Sequence, residues 1–416
     1  MLKKIKKSLL MIGFAVMMLS SFACTNNGTD NGLLSNVISS NKSESNYDPV
    51  SKLMFKEKFD NTIPSYIPVQ EKFEGGHPKL LNYIFIQTLN AKIMSKPATN
   101  VPVVRPCEYY ERLELLGTVV QKGGTTWYKV KDLKGKIGYV YAPMAEKRVF
   151  RFHNSLERIE KVEKFTREAR ENGETLALVN SYSPNPNNVD FKRSKDKYGV
   201  SLDQNIASTH NGETIYIPDR SIVKIISKQG SKTRVKALSI PEPYLDSNSS
   251  NFVIDSKLNN APINKAVAID IENQNMIIYE KIDGRWTVIS YVYTKTGTES
   301  QLGFQTPRGN FIAAVSKFEM LYNGEIGNKE GYAKYATRFS GGGYLHGTPL
   351  NYEEEINKEY FVSLKEWTLG TVSGTRKCIR TNEDHASFIF RWILNDKINH
   401  SQNEQVIKDN VLFVIF

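Results

Sequence analysis

At 416 residues the chain is too long for one small core, and a composition of 40% apolar and 24% charged residues is that of an ordinary globular protein of about two to four domains. A formal charge of +11 suits an anionic surrounding such as a wall polymer or a membrane surface, with scattered surface lysine as the plain alternative. It argues against a nucleic-acid partner, because no RNA- or DNA-binding motif accompanies it.

The first seven residues carry four lysines, and Ser8 to Ala23 is an apolar run ending in small residues. That is the layout of a secretory signal, and at about sixteen residues the run is short for a spanning helix. Two processing routes fit. Ser21 and Ala23 satisfy the small-x-small rule for ordinary cleavage; alternatively Ser21-Phe22-Ala23-Cys24 resembles a bacterial lipobox, with Phe22 bulkier than usual and Leu19 further upstream. The lipoprotein route is the adopted reading: a signal peptide over 1–23, lipidation of Cys24, and a tether over 24–50 that is rich in Asn, Ser and Gly and expected to be disordered. With Cys24 modified and Cys378 kept free, Cys107 is left alone and no disulfide framework remains.

Residues 51–99 form a mixed segment without an assigned role. Tyr83 to Met94 is compatible with a helix, and Ile63-Pro64 and Ile67-Pro68 favour extended chain. Over 100–148 the pattern changes to short strands, Val101–Val104, Leu115–Val120, Thr126–Lys131 and Ile137–Tyr141, separated by glycine turns. Trp127-Tyr128-Lys129-Val130 and Gly138-Tyr139-Val140 resemble a bacterial SH3-type barrel, which implies either wall binding or a spacer; Cys107 reads as structural. Residues 150–260 read as a helix over Asn154–Asn172, with apolar residues spaced by three and four, followed by a small β module. Its strands are Thr214–Ile217, Ile222–Ser227 and Thr233–Leu238, and Asp246–Asn251 reads as a polar linker.

From 262 to 416 the chain is again mostly strand: Ala266–Ile271, Met276–Glu280, Trp286–Tyr293, Asn310–Val315, Ala336–Phe339, Gly343–His346 and Val411–Phe416. One helix stands out, Glu383–Leu394, with Asn382 placed to cap it. Chemistry concentrates between Gly341 and Arg380. Cys378 is the candidate nucleophile, and Arg376, Lys377 and Arg380 surround it with cations that, together with the start of the following helix, are expected to lower its pKa. His346 is the natural base. His385 is a rival base, with packing or capping as its preferred role.

These residues resemble the signature of the L,D-transpeptidase (YkuD-type) catalytic domain. His346-Gly347 matches its first half, and Thr375, Cys378, Ile379 and Arg380 match its second. Upstream, Thr296-Gly297 and Thr306-Pro307-Arg308-Gly309-Asn310-Phe311 resemble two further family segments. Two departures stand beside the match: Arg376 and Lys377 occupy the places of a histidine and a glycine, and an acidic insert around Tyr352–Glu366 separates base from nucleophile. The resemblance implies a mainly β fold, with a YkuD-like β-sandwich preceded by the SH3-like barrel and a mixed α/β linker region. It also implies an acyl-enzyme formed on Cys378 from peptidoglycan tetrapeptide stems and passed to an amine. His346 would be the base, and Gly347, Thr375, Arg376, Lys377 and Arg380 would line the substrate and oxyanion pocket. Arg376 and Arg380 are read as charges able to hold a substrate carboxylate. No metal or cofactor is implied. The expected partners are wall stem peptides and, through a lipid anchor, the membrane; the expected location is the cell envelope. An L,D-carboxypeptidase using water as acceptor and a catalytically inactive wall-binding lipoprotein are the alternatives.

Overall fold

The computed structural model describes residues 47–48, 53–121, 123–183, 194–202, 204–300, 303–323 and 329–416. The expected signal peptide, Cys24 and nearly all of the tether lie outside the described residues, as does the loop expected at Pro184–Asn188. The chain is mainly β, as the sequence predicts, with the strands gathered into four sheets.

The first sheet has nine strands, running in sequence from Tyr47–Asp48 to Ala145–Val149. Four of them, Val103–Pro106, Arg112–Val120, Thr126–Lys131 and Ile137–Tyr141, overlap the four expected strands, the first beginning two residues later than expected and the second three residues earlier. Tyr83–Met94 is not a helix. Asn82–Ile86 is a strand paired on both edges, with Arg112–Val120 and with Ala145–Val149, and Lys92–Met94 pairs with Val103–Pro106. Every side chain from Tyr83 to Ile86 is fully buried, so this run has the continuous apolar pattern of a central strand, which periodicity alone does not separate from a buried helix. The core inside the sheet holds Ile84, Ile93, Leu113, Val130 and Val140 together with Cys107, whose thiol is pushed up to about 11 by burial. A cysteine kept neutral in that way packs rather than reacts.

Helix α1, Phe152–Glu171, follows, with Ile159, Val162 and Ala169 on its buried face. A seven-stranded sheet comes next and contains the three expected strands, here Glu213–Pro218, Ile222–Gln229 and Lys232–Ala237. The segment read as a polar linker is part of this sheet. Leu245–Asn248 pairs with Lys232–Ala237 and with Asn205–His210, burying Leu245 and Ser247 while Asp246 and Asn248 turn outward. Polar residue types hide that period of two. A short helix, α2 at Ser256–Asn260, leads into the last region.

There a five-stranded sheet, ordered Arg285–Tyr293, Asn275–Ile282, Lys265–Asp270, Val411–Ile415, Gly309–Ile312, shares a core with a six-stranded one. The second sheet is ordered Ile379–Arg380, Gly343–His346, Lys329–Ser340, Val315–Asn323, Glu404–Gln405, with Leu350–Asn351 also paired to Lys329–Ser340. Val267, Ile269 and Phe413 from one sheet meet Phe339, Leu345 and Ile379 from the other, and helix α4, Glu383–Ile393, closes the same core. The opposite face of the five-stranded sheet, Ala266, Ala268, Ile277, Tyr279, Leu412 and Val414, packs on α1 and on Leu176 and Leu178 of the middle sheet. Strands buried on both faces read as unbroken apolar runs, which is the pattern of residues 266–269 and 411–416. The insert between His346 and Cys378 folds as a 3-10 turn, Tyr352–Asn357, and helix α3, Lys358–Trp367.

Candidate active site

Strand pairing brings the two halves of the motif together. Gly343–His346 runs parallel to Ile379–Arg380, with Leu345 opposite Ile379 and His346 opposite Arg380. Leu345 and Ile379 point into the core. Side chains alternate along a strand, so His346 and Arg380 turn to the other face, and Cys378, just before Ile379, turns with them. On the far side of Arg380 lies Lys295, joined to it by reciprocal backbone hydrogen bonds of 2.8 and 2.9 Å. His346, Arg380 and Lys295 therefore form a row across three adjacent chain segments, one residue pair beyond Cys378.

The segment after Lys295 anchors the loop that carries Cys378. Thr296 O accepts from Gly374 N at 2.8 Å and Thr375 N at 3.0 Å, and Thr298 N donates to Thr375 O at 3.1 Å. Thr306 Oγ1 accepts from Gly297 N and donates to Lys377 O, both at 2.7 Å. Gly297 is required by this approach: a Cβ there would lie 2.6 Å from Lys377 Cα and 2.4 Å from Phe304 O. Thr375 Oγ1 donates back to Cys378 O at 2.5 Å, closing the turn. The upstream Thr-Gly and Thr-Pro segments thus clamp the Cys378 loop.

His346 is buried, and its Nδ1 is 2.7 Å from Gly347 O. A carbonyl only accepts, so Nδ1 carries the hydrogen and Nε2 of the neutral ring is the acceptor. Burial, with a smaller push from the Arg380 charge against a pull from Gly347, brings the imidazole down to about 4. Cys378 is half-buried; Sγ lies 3.9 Å from Gly342 O, and the Tyr344 amide is placed to favour its charged form. Burial outweighs the Tyr344 amide and the Lys377 charge and raises the thiol pKa, which corrects the expected lowering. The reason is direction. Arg376 is exposed and donates to Asn323 O at 3.1 Å, Arg380 lies beyond His346, and α4 begins only after the Ile379–Arg380 strand, with its cap filled by Asn382. Cys378 and His346 are not hydrogen-bonded to each other, so the resting pair is a neutral thiol and a neutral imidazole.

Lys377 stands where a glycine was expected and keeps that residue's conformation, with φ of 120°. Its side chain is buried and donates to Gly341 O at 2.6 Å, so it ties the Gly341–Gly343 turn to the Cys378 loop. Gly347 sits against α4, where a Cβ would be 3.2 Å from Glu383 Cα. His385 has its Nε2 2.5 Å from Ser290 Oγ and its ring centroid 4.1 Å from that of Phe73, the arrangement of a packing residue. Two residues of the site were missed in the sequence. Lys295 immediately precedes the noted Thr296-Gly297 pair, and Thr306, noted only as part of a motif, is the hub of the clamp.

Helix α3 covers the cationic end of the row. Arg380 Nη2 is 3.4 Å from Lys365 O and 3.5 Å from Thr368 Oγ1, and Lys295 Nζ is 3.2 Å from the same hydroxyl. The chain just after α3 is gripped from the first sheet: Arg112 donates to Trp367 O at 2.8 Å and to Leu369 O, Tyr83 OH to Gly370 O at 2.6 Å, and Arg148 Nη2 to Thr371 O at 2.8 Å.

No known family model matches the chain, and no curated protein matches it. Among solved structures it is similar to a fused Zn-dependent amidase/peptidase/peptidoglycan-binding domain-containing protein from Clostridium acetobutylicum, at 15% identity over 39% of this chain and 56% of that one, with a TM-score of 0.24. It thus spans little more than half of that protein. It is also similar to an L,D-transpeptidase from Mycobacterium smegmatis, at 14% identity over 51% of this chain and 77% of that one, TM-score 0.26. An L,D-transpeptidase from Mycobacterium tuberculosis is similar at 12% identity over 58% and 90%, TM-score 0.26.

Proposed function

We propose that this chain is an exported cell-wall acyltransferase of the L,D-transpeptidase type, anchored by a lipid on Cys24, with Cys378 as nucleophile and His346 as base. The observation that carries the reading is the clamp. Three stretches far apart in sequence, around Thr296, His346 and Cys378, meet so that the thiol and a neutral imidazole with a free Nε2 share one face of a strand pair.

In the reaction, Sγ attacks the carbonyl at the L-centre of the third stem residue while His346 Nε2 takes the thiol proton. A neutral starting pair suits this, since the base acts as sulfur charge develops. The oxyanion is held by backbone N–H groups beside Cys378, apart from that of Thr375, which is already bonded to Thr296 O. Collapse breaks the C–N bond, the proton on His346 passes to the departing D-amino acid nitrogen, and a thioester remains. An acceptor amine then attacks, gives its proton to His346, and the thiol is regenerated as the new amide forms. Of the residues expected to line the pocket, Arg380 shares the His346 face, Thr375 and Lys377 brace the Cys378 loop from inside, Gly347 sits against α4 and Arg376 turns outward to Asn323.

Purified protein incubated with tetrapeptide stems and an amine acceptor, followed by mass spectrometry, tests the reading. Cross-linked stems are expected from the wild type and none from Cys378→Ala; His346→Ala should lose more than His385→Ala. Trimmed stems without cross-links would instead make it a carboxypeptidase. A second reading, an inactive wall-binding protein, is favoured by the raised thiol pKa and the absent His346–Cys378 hydrogen bond. A carbapenem adduct on Cys378 excludes it.

A further inference from the structure

We propose that Lys295 and Arg380 form a carboxylate-binding subsite beside Cys378, receiving the carboxylate of the residue just beyond the carbonyl under attack. The proposal deepens the acyl-transfer reading and takes the site's location from it. Its ground is a contrast within the molecule. Several buried or half-buried cations elsewhere find carboxylates, Arg338 reaching Asp219 at 2.5 Å, Arg151 reaching Asp270 at 2.6 and 2.8 Å, and Lys265 reaching Asp409 at 3.1 Å. Arg112 and Arg220 stand apart from each other and donate to backbone carbonyls, Arg112 to Trp367 O at 2.8 Å and Arg220 to Ile312 O at 3.0 Å. Lys295 and Arg380 stand side by side and, among the described residues, neither makes an ion pair. Their only side-chain partners are neutral oxygens of the α3 end at 3.2–3.5 Å, and Arg380 Nε is buried with no hydrogen-bond partner.

Two neighbouring cations in a confined place repel each other, and both are driven toward deprotonation by burial, Lys295 down to about 8 and Arg380 down to about 10, with the Arg380 charge adding to the effect on Lys295. The charge of Glu366 offsets part of this at Arg380 without forming an ion pair with it, and its Oε1 accepts from the Thr348 hydroxyl at 2.7 Å. An incoming carboxylate supplies what this pair lacks: a countercharge in direct contact, an acceptor for the orphan Nε–H, and short charge-assisted bonds in place of long neutral ones. Residues on one face of a strand are about 7 Å apart, a distance that lysine and arginine side chains span, so a carboxylate a few bonds from the carbonyl at Sγ falls within their reach. Lys295 Nζ already leans over the nucleophile loop, 3.6 Å from where a Cβ on Gly374 would be.

The test compares two alkylating reagents of one shape, N-iodoacetylglycine and its neutral amide, reading adducts on the Cys378 peptide by mass spectrometry. Both consume the same thiolate, so their rate ratio cancels any change in thiol pKa. Relative to the ratio on N-acetylcysteine, the wild type should favour the anionic reagent by about tenfold or more. Lys295→Met should return the ratio toward that of the free thiol, Lys295→Arg should keep it, and Lys161→Met, the same charge change on the exposed face of α1, should leave it unaltered. A wild-type ratio equal to that of N-acetylcysteine, or one unmoved by Lys295→Met, overturns the subsite. The two readings fail separately: a Lys295-dependent ratio in a protein that never turns over stems keeps the subsite and sinks the acyl transfer, and equal turnover by wild type and Lys295→Met with a flat ratio does the reverse.

Discussion

Helices α3 and α4 are of similar length and flank the same cysteine, but they are held in opposite ways. Helix α4 buries His385, Ala386, Ile389, Phe390, Trp392 and Ile393 in the core between the two sheets, whereas α3 buries no residue. What fixes α3 is polar and lies at its end: the Glu366 and Lys365 contacts to Thr348 and Pro349, and the side chains of Arg112, Tyr83 and Arg148 on the carbonyls that follow. One helix is part of the folding unit; the other is a cover whose hold can be loosened while the sheets beneath it stay folded.

The comparison breaks most forcefully at Phe390, which is fully buried. Phe390→Ala should cost about 3–5 kcal/mol, read as a lower urea midpoint for the whole 262–416 region. If only the Cys378 environment changed, α4 would not belong to the folding unit.

Acid sharpens the same contrast. His385 on α4 is held down to about 3 and His346 to about 4, chiefly by burial, against about 6.5 in the unfolded chain. Below pH 6.5 the unfolded state takes up protons that the folded state refuses, so stability is full above that pH and falls by about 1.4 kcal/mol per pH unit for each histidine on the way down. Melting curves from pH 7.5 to 4.5 should show this loss, with His385→Leu flattening it. A melting temperature constant over that range would mean the rings are not buried neutral.

The smallest effects belong to α3. Arg112→Ala removes two hydrogen bonds to its exit and should loosen it by about 1–3 kcal/mol. The readout is faster hydrogen exchange confined to residues 358–371, with the urea midpoint of the rest unmoved. Leu364→Ala, at a side chain 46% exposed, should stay within about 0.5 kcal/mol. A large cost at Leu364 would show that α3 is packed after all.

The same division marks what could be read in advance. A short aromatic and β-branched run between turns, Thr126–Lys131, and a strand that ends on a motif, Gly343–His346, were legible, and so was α4, because an apolar stripe follows a capping Asn382. Tyr83–Ile86 was not, since a run buried on all sides has no period to read, and neither was Leu245–Asn248, whose buried positions include a serine. At the site, sequence proximity gave the identity of the groups but not their directions. Arg376, Lys377 and Arg380 are all within two residues of Cys378, yet one faces outward to Asn323, one is buried toward Gly341 and one lies past His346. Lys295, distant along the chain, comes beside Arg380 through strand pairing alone.

The five-stranded sheet, apolar on both faces, bears on how the protein can be cut. Its outer face is roofed by α1 and the middle sheet, so a fragment starting at residue 262 would carry Ala266, Ile277, Tyr279, Leu412 and Val414 bare to water. Such a stripe recruits other copies of itself. The 262–416 region is therefore not a cassette to be lifted out and grafted elsewhere: the modules before it are half of its own interior, and whatever positions one part positions the others in fixed attitude.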